Sequence, residues 1–268
     1  MKQRTPKNRR VRQTPPRRRK ARIYKGVLAV SLGVLITVGI VEAVAWAHKA
    51  PMFSIGRVDV VGARRATAEA VRRLADVDVG SNLFKVDVDT ARARLVAHPW
   101  IASAEVRLTA VDHARISVVE HQPVALVALG HLYYADAAGR LFKRYAPGES
   151  VALPVITGLA RSKIEADDPH QVALLAQALR LVDEWPNETF GTLSEVHVHE
   201  ALGLTAVLAN SGMVVVLGEQ WRERMPRLRR VLDALEQRRL RATRIDLSGT
   251  RRADQAVVRL VASEDEDA

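Results

Sequence analysis

Residues 98–108 read His98-Pro-Trp-Ile-Ala-Ser-Ala-Glu-Val-Arg-Leu108, and they mark the point at which a helical pattern gives way to a strand. Pro99 cannot continue a helix, and it disfavours the helical conformation at the residue before it. We therefore predict that His98 is the last helical residue and that Trp100 is a bulky anchor at the edge of a sheet. A catalytic histidine is disfavoured because no nucleophile or carboxylate stands at a supporting spacing.

The segments on either side of this stretch complete a small domain. Residues 55–61 alternate in polarity and end at Gly62, a pattern typical of a strand and turn. Thr67 is positioned to cap a helix over Ala68–Ala75, and Asp89 to cap a second helix over residues 90–97 with Leu95 and Val96 facing inward. Residues 101–108 and 116–120 read as strands. Residues 53–122 are therefore predicted to form a β-α-α-β-β domain.

Four motifs give this domain a family resemblance. They are Val60-Val-Gly62, Gly80-Ser-Asn-Leu-Phe84, His98-Pro-Trp-Ile-Ala-Ser-Ala-Glu-Val106 and Val119-Glu-His-Gln-Pro-Val-Ala125. Together they resemble a POTRA domain, and a single POTRA domain directly after an apolar segment is similar to the bacterial cell-division family FtsQ/DivIB. Two further segments resemble the start of that family's second domain: Tyr133-Tyr-Ala-Asp-Ala-Ala-Gly-Arg-Leu-Phe142 and Leu153-Pro-Val-Ile-Thr-Gly158. The resemblance extends from residue 1 to about residue 261.

Residues 123–262 read as a mixed, β-rich second domain. Asp136-Ala-Ala-Gly139 is a hairpin turn, and Asp168-Pro169 opens a helix that runs to about Trp185. Asn210-Ser-Gly212 is a second tight turn. The remaining predicted strands lie at 195–198, 204–209, 213–217, 245–247 and 256–261. A long helix is predicted over 221–240, and Pro226 either marks its first turn or lies early inside it. The fold class is α+β.

A membrane anchor is predicted ahead of both domains. Residues 1–25 contain twelve Lys or Arg and no acid, and these twelve account for the whole basic excess, since the other 29 of the 41 basic residues balance 30 acidic ones. Residues 26–48 are predicted to form a transmembrane helix: they are predominantly apolar, with Glu42 as the one acidic residue, and their 21-residue centre would span about 31 Å as a helix. The positive-inside rule places the tail in the cytoplasm and both domains outside the inner membrane. A cleavable signal peptide ending at Ala45-Trp-Ala47 is the alternative, although its apolar region would be unusually long.

The sequence favours binding over chemistry. It has no cysteine, and it lacks phosphate-binding glycine loops and hydrolase or metalloprotease motifs. His197 and His199 share one strand face, but two imidazoles fall short of the three or four ligands that zinc needs. The basic tail is better suited to the membrane surface than to nucleic acid, because the span follows it directly. We predict a protein that is not an enzyme and has no cofactor.

The resemblance also implies partners and a contact region. Members of the family bind the small bitopic proteins FtsB and FtsL, with the final strands accepting a strand from FtsB, while the POTRA domain recruits other division proteins at the septum. Carried over by region, the contact residues are Ser248, Gly249, Ala256, Val257, Val258, Arg259 and Leu260. The last strand equally fits a role that only completes the sheet. Two other classes of function stay open: a POTRA component of envelope protein transport, and a binding protein released after Ala47. Residues 263–268 are acidic, a composition typical of disorder.

Overall fold

The protein begins with one long helix in a computed structural model that describes residues 17–47, 50, 53–109, 112–149, 151–249 and 255–261. Helix α1 spans Arg17–Ala47, and its segment Tyr24–Ala47 is, among these residues, the helix that is long and apolar enough to cross a membrane. The apolar side chains of residues 24–46 are exposed rather than packed on the rest of the chain. The carbonyl of Ala47 accepts a hydrogen bond from the Asn82 side chain at 3.1 Å, so the helix ends against the first domain. Residues 1–16 of the predicted basic tail (residues 1–25) and all of the predicted acidic tail at 263–268 lie outside the described residues.

The first domain has the predicted β-α-α-β-β order. The elements are β1 (Arg57–Val61), α2 (Ala68–Ala75), α3 (Val88–Val96), β2 (Ile101–Thr109) and β3 (His113–Glu120), with a short 3-10 turn at Leu83–Lys85. The strands form one three-stranded sheet in the order β1-β3-β2, with β1 parallel and β2 antiparallel to the central β3. Both helices pack on this sheet through a core that includes Val71, Leu95 and Ile116.

Thr67 caps α2 as predicted, but the second helix differs from its prediction at both ends. Asp87, rather than Asp89, caps α3 by accepting the N–H groups of Asp89 and Thr90 at 3.1 and 3.0 Å. The helix ends at Val96, so His98 is not its last residue. Pro99 disfavours helical geometry at His98, and the chain tightens there into a turn in which the His98 N–H donates to Leu95.

The inward face of α3 also differs from its prediction. Ala91 and Leu95, four residues apart, are buried, whereas Val96 is 45 % exposed. Successive helical residues are rotated by about 100°, so Val96 points away from the face that Ala91 and Leu95 share.

Gly62 and Glu120, each in a family-like motif, close the sheet of the first domain. Gly62 has φ +90°, and a Cβ atom there would lie 2.0 Å from the carbonyl oxygen of Val118, so only glycine fits. The Glu120 carboxylate accepts the backbone N–H groups of Arg64, Arg65 and Ala66 at 2.9–3.0 Å. Burial opposes the charge of Glu120, but these three donors outweigh it and lower the pKa of the carboxyl. The loop after β1 is thus tied to the end of β3.

The second domain is built on one nine-stranded sheet. Its strands are β4 (Pro123–Ala128), β5 (Leu132–Asp136), β6 (Leu141–Arg144), β7 (Val155–Thr157), β8 (Leu193–His199), β9 (Gly203–Leu208), β10 (Val214–Gly218), β11 (Ala242–Asp246) and β12 (Val257–Leu260). Their order in the sheet is β12-β11-β10-β9-β8-β7-β4-β5-β6. Its helices are α4 (Arg161–Glu165), α5 (Pro169–Glu184), α6 (Asn187–Phe190) and α7 (Trp221–Gln237).

Local signals explain several of these elements. Asp168 caps α5 by accepting the Gln171 N–H at 3.0 Å, as the Asp-Pro pair predicted, and Asp136 accepts two N–H groups across the β5–β6 turn. Helix α7 begins at Trp221, so Pro226 lies inside the helix and does not set its first turn. The helix also stops three residues short of the predicted Leu240. Leu247 lies just beyond β11, which begins earlier than predicted, at Ala242.

Candidate partner-binding edge and the joint between the domains

Trp100 joins the two domains rather than standing at a sheet edge alone. Its indole ring lies under the Arg65 guanidinium at 4.1 Å, and its centroid is 5.3 Å from the rings of both Tyr134 and Phe142 in the second domain. Its backbone N–H donates to Nδ1 of His98 at 3.3 Å. The His-Pro-Trp motif therefore has a structural role, because it places the Trp100 indole ring at the boundary between the two domains.

The residues that follow β3 complete this joint. The His121 ring stacks on Phe142 at 4.5 Å with an interplanar angle of 5°, and its Nδ1 lies 3.0 Å from an Asp136 carboxylate oxygen. Tyr134 is fully buried and donates its hydroxyl to Glu149 at 2.9 Å. Burial, then this bond, raises the pKa of Tyr134 to about 12. Lys143 bonds Glu149 and is the largest cause that lowers the pKa of Glu149 to about 2.

Strand β12 forms one end of the large sheet, and within the described residues no strand pairs with its outer side. The Val261 N–H donates to the Arg241 carbonyl at 2.9 Å, and the Arg259 carbonyl accepts the Thr243 hydroxyl at 3.2 Å. The backbone polar groups of residues 259 and 261 thus face β11. In an antiparallel ladder alternate residues face opposite sides, so Val258 and Leu260 direct their N–H and C=O groups to the open edge.

Side chains also alternate along β12. Ala256, Val258 and Leu260 lie on the side of α7, whereas Val257 (65 % exposed) and Arg259 point to the opposite face. Between α7 and β12 runs an open groove of about 390 Å³. From α7 and the segment that follows it, the groove is lined by Arg227, Arg230, Val231, Ala234, Leu235, Arg238 and Leu240.

The seven predicted contact residues fall in two groups. Ala256, Val257, Val258, Arg259 and Leu260 lie on the edge strand or directly before it. Ser248 and Gly249 follow β11, and the Ser248 N–H and hydroxyl both donate to Asp246 at 2.9 and 2.7 Å. The buried Arg227 guanidinium donates to the carbonyls of Gln255 and Leu247 at 2.9 and 3.4 Å, so it bridges the two groups from α7.

The sequence analysis did not identify the residues of α7, and of the segment that follows it, that line the groove beside β12. Arg230, Val231, Ala234 and Arg238 come together because their spacing of three, four and eight residues puts them on one helical stripe. That spacing can be recognised in the sequence, but the strand against which the stripe lies cannot.

His197 and His199 do share a strand face, with ring centroids 4.4 Å apart, and His197 Nδ1 lies 2.7 Å from the Thr157 hydroxyl.

Comparison with known proteins identifies both domains. Residues 53–121 match the model of the POTRA domain, FtsQ-type, and residues 125–248 match that of the cell division protein FtsQ/DivIB C-terminal domain. The chain is 35 % identical to the cell division protein FtsQ of Anaeromyxobacter sp. (strain K), over 96 % of this chain and 90 % of that one. It is 30 % identical to that of Syntrophotalea carbinolica, over 97 % and 96 %. It is also 35 % identical to that of Myxococcus fulvus, over 87 % and 84 %. The chain therefore belongs to the FtsQ/DivIB family of cell-division proteins.

Proposed function

We propose that this protein is a non-catalytic scaffold of the division machinery that binds FtsB/FtsL-type bitopic proteins by strand addition to β12. The observation that carries the proposal is the open edge itself. Val258 and Leu260 direct backbone donors and acceptors outward, and an unpaired strand edge is a ready template for a strand from another chain. By this route the protein links assembly on the cytoplasmic side to wall synthesis at the septum.

The membrane arrangement follows from charge. Helix α1 anchors the chain in the inner membrane, the twelve Lys and Arg of residues 1–25 stay in the cytoplasm, and both domains lie in the periplasm. The POTRA domain recruits other division membrane proteins. Its β2 is also an edge strand of its sheet, which supports a second contact surface separate from β12.

The decisive experiment replaces Val258 with proline in the full-length chain. Proline removes an N–H that faces the open edge and leaves the N–H groups that face β11, so partner capture is lost while the sheet persists. Val258→Ala is the matched control, because it trims the same side chain and keeps the N–H. Co-purification of the FtsB-type partner from membranes is the readout, and equal recovery with both variants would refute strand addition.

Localisation tests the cellular role. A fluorophore fused to the cytoplasmic tail is expected to form a band at the constriction site of dividing cells, and the band should require the outer domains. A uniform envelope signal would contradict a septal scaffold. A signal in the soluble fraction would contradict the anchor.

A further inference from the structure

The groove between α7 and β12 presents two unused charges on either side of an apolar centre. Arg230 on α7 and Arg238 directly after its last residue are exposed, and neither guanidinium forms an ion pair with a carboxylate of any residue that the structure describes. Val231 and Ala234 lie between them, and Val258 faces them from β12. The stripe therefore reads basic, apolar, basic along the axis of the helix.

A strand added to β12 would cover this stripe. Its residues opposite Ala256, Val258 and Leu260 would share their side of the sheet, because directly opposed residues in a ladder project to the same face. These partner residues stand at positions i, i+2 and i+4. Their side chains would therefore enter the groove beneath α7, and the two intervening side chains would point to the other face.

The spacings of the two elements match. Arg230 and Arg238 are eight residues apart, which is about 12 Å along a helix. Positions i and i+4 of an extended strand are separated by about 13 Å. The ends also correspond. Ala256 follows Gln255, whose carbonyl accepts a hydrogen bond from the Arg227 guanidinium, and Leu260 pairs with Ala242, two residues after Leu240.

We infer that this groove selects a partner segment of the pattern acid-x-apolar-x-acid, with carboxylates at i and i+4 paired to Arg230 and Arg238 and an apolar side chain at i+2 against Val231 and Ala234. The inference rests on the proposed strand addition and names the chemistry of the added strand. The opposite face of the edge favours acidic partners as well. Arg259 lies directly opposite Arg244 in the ladder. The two positive charges repel each other, and an acidic side chain of a partner would offset this repulsion.

A second copy of this chain fits the groove poorly. If β12 paired with its own counterpart, the side chains entering the groove would be Ala256, Val258 and Leu260, which bring no carboxylate to Arg230 or Arg238. The Arg259 side chains of both copies would add to one basic face. Charge complementarity thus assigns the groove to an acidic segment of another protein.

The test uses the full-length protein in detergent micelles and synthetic nine-residue peptides, with binding followed by fluorescence anisotropy. The matching peptide is Thr-Ser-Glu-Thr-Val-Thr-Glu-Ser-Thr. One comparison peptide replaces both Glu with Lys, and another moves the second Glu one position earlier, which turns it to the opposite face of the strand. We expect the matching peptide to bind about tenfold more tightly than the Lys peptide, which loses two partly exposed ion pairs, and about threefold more tightly than the shifted peptide, which loses one.

Variants of the protein complete the test. Arg230→Glu combined with Arg238→Glu should abolish the preference for the matching peptide, and Arg180→Glu, an exposed change on α5, should preserve it. Equal binding of the three peptides, or binding unaffected by the double change, would overturn the inference. No binding of any peptide would overturn it too, as would self-association that the double change abolishes, since that would assign the groove to a second copy.

The two proposals can fail separately. If Val258→Pro blocks capture of the FtsB-type partner while the peptides show no charge preference, strand addition is supported and the proposed acid-x-apolar-x-acid pattern is refuted. If the matching peptide binds as expected but Val258→Pro leaves partner capture intact, the groove chemistry stands and the division partner binds elsewhere.

Discussion

The indole ring of Trp100 in the POTRA domain and the phenol ring of Tyr134 in the β domain lie 5.3 Å apart, in a tilted packing that joins the two domains. The Arg65 guanidinium covers the other side of the indole. Helix α1 ends against the POTRA domain, and β12 lies at the opposite end of the second domain's sheet from β5 and β6. This joint therefore fixes how the open edge of β12 is held relative to α1.

Replacing Trp100 with alanine should loosen this joint. We expect a loss of roughly 2 kcal/mol of stability, below the 3–5 kcal/mol of a fully buried aromatic residue, because Trp100 is only partly buried. The chain has no cysteine, so spin labels can be placed at Arg73→Cys and Arg180→Cys alone. Their distance distribution should broaden in Trp100→Ala and stay narrow in Val79→Ala, an exposed control. An unchanged distribution would show that the joint lies elsewhere.

Replacing Glu120 with glutamine tests the tie between the loop after β1 and the end of β3. The carboxamide keeps one acceptor oxygen but loses the charge that strengthens three N–H bonds, so we expect a loss on the order of 1–2 kcal/mol in chemical denaturation. Hydrogen exchange at Arg64, Arg65 and Ala66 should rise selectively. Protection unchanged at these three amides would contradict the role given to the carboxylate.

Acidification should weaken the second domain through Glu149. Its pKa is lowered to about 2 in the folded protein from an ordinary value of 4.5, so its contribution is present above pH 4.5. That contribution is lost as the pH falls from about 4.5 toward 2. The thermal midpoint of Glu149→Gln should therefore vary less over this interval than that of the parent chain. Parallel pH profiles for the two proteins would rule out this linkage.

Gly62→Ala should be among the more damaging single changes. The residue has φ +90°, and the added Cβ atom would meet the Val118 carbonyl oxygen at 2.0 Å, so β1 and β3 must separate. We expect a loss on the order of 3 kcal/mol from strain and the displaced strand. Gly80→Ala is the informative comparison, since its φ is +91° but nothing lies near its Cβ position. Equal destabilisation would mean that backbone strain alone matters.

Several structural features of this protein could be predicted from the sequence because they depend on residues that are close together in the chain. The apolar run before Ala47, the Thr67 and Asp168 caps, and the hairpin turn at Asp136 depend on residues within one turn or one span, and the structure has each of them. The start of α3 was predicted two residues too late, because local signals alone did not distinguish two possible caps. Asp87 and Asp89 are both capable caps, and only the packing of Ala91 and Leu95 chooses the register of the helix.

For the candidate site, too, some features follow from the sequence and others only from the tertiary structure. The sequence by itself determined that residues 256–261 are β-prone and that the basic excess belongs to the first 25 residues. Only the tertiary structure decided that β12 lies outermost beside β11, that Val258 directs its N–H outward, and that α7 overlies this edge. Strand order and the packing of a helix on a sheet join residues far apart in the chain, and no local preference encodes which of them meet.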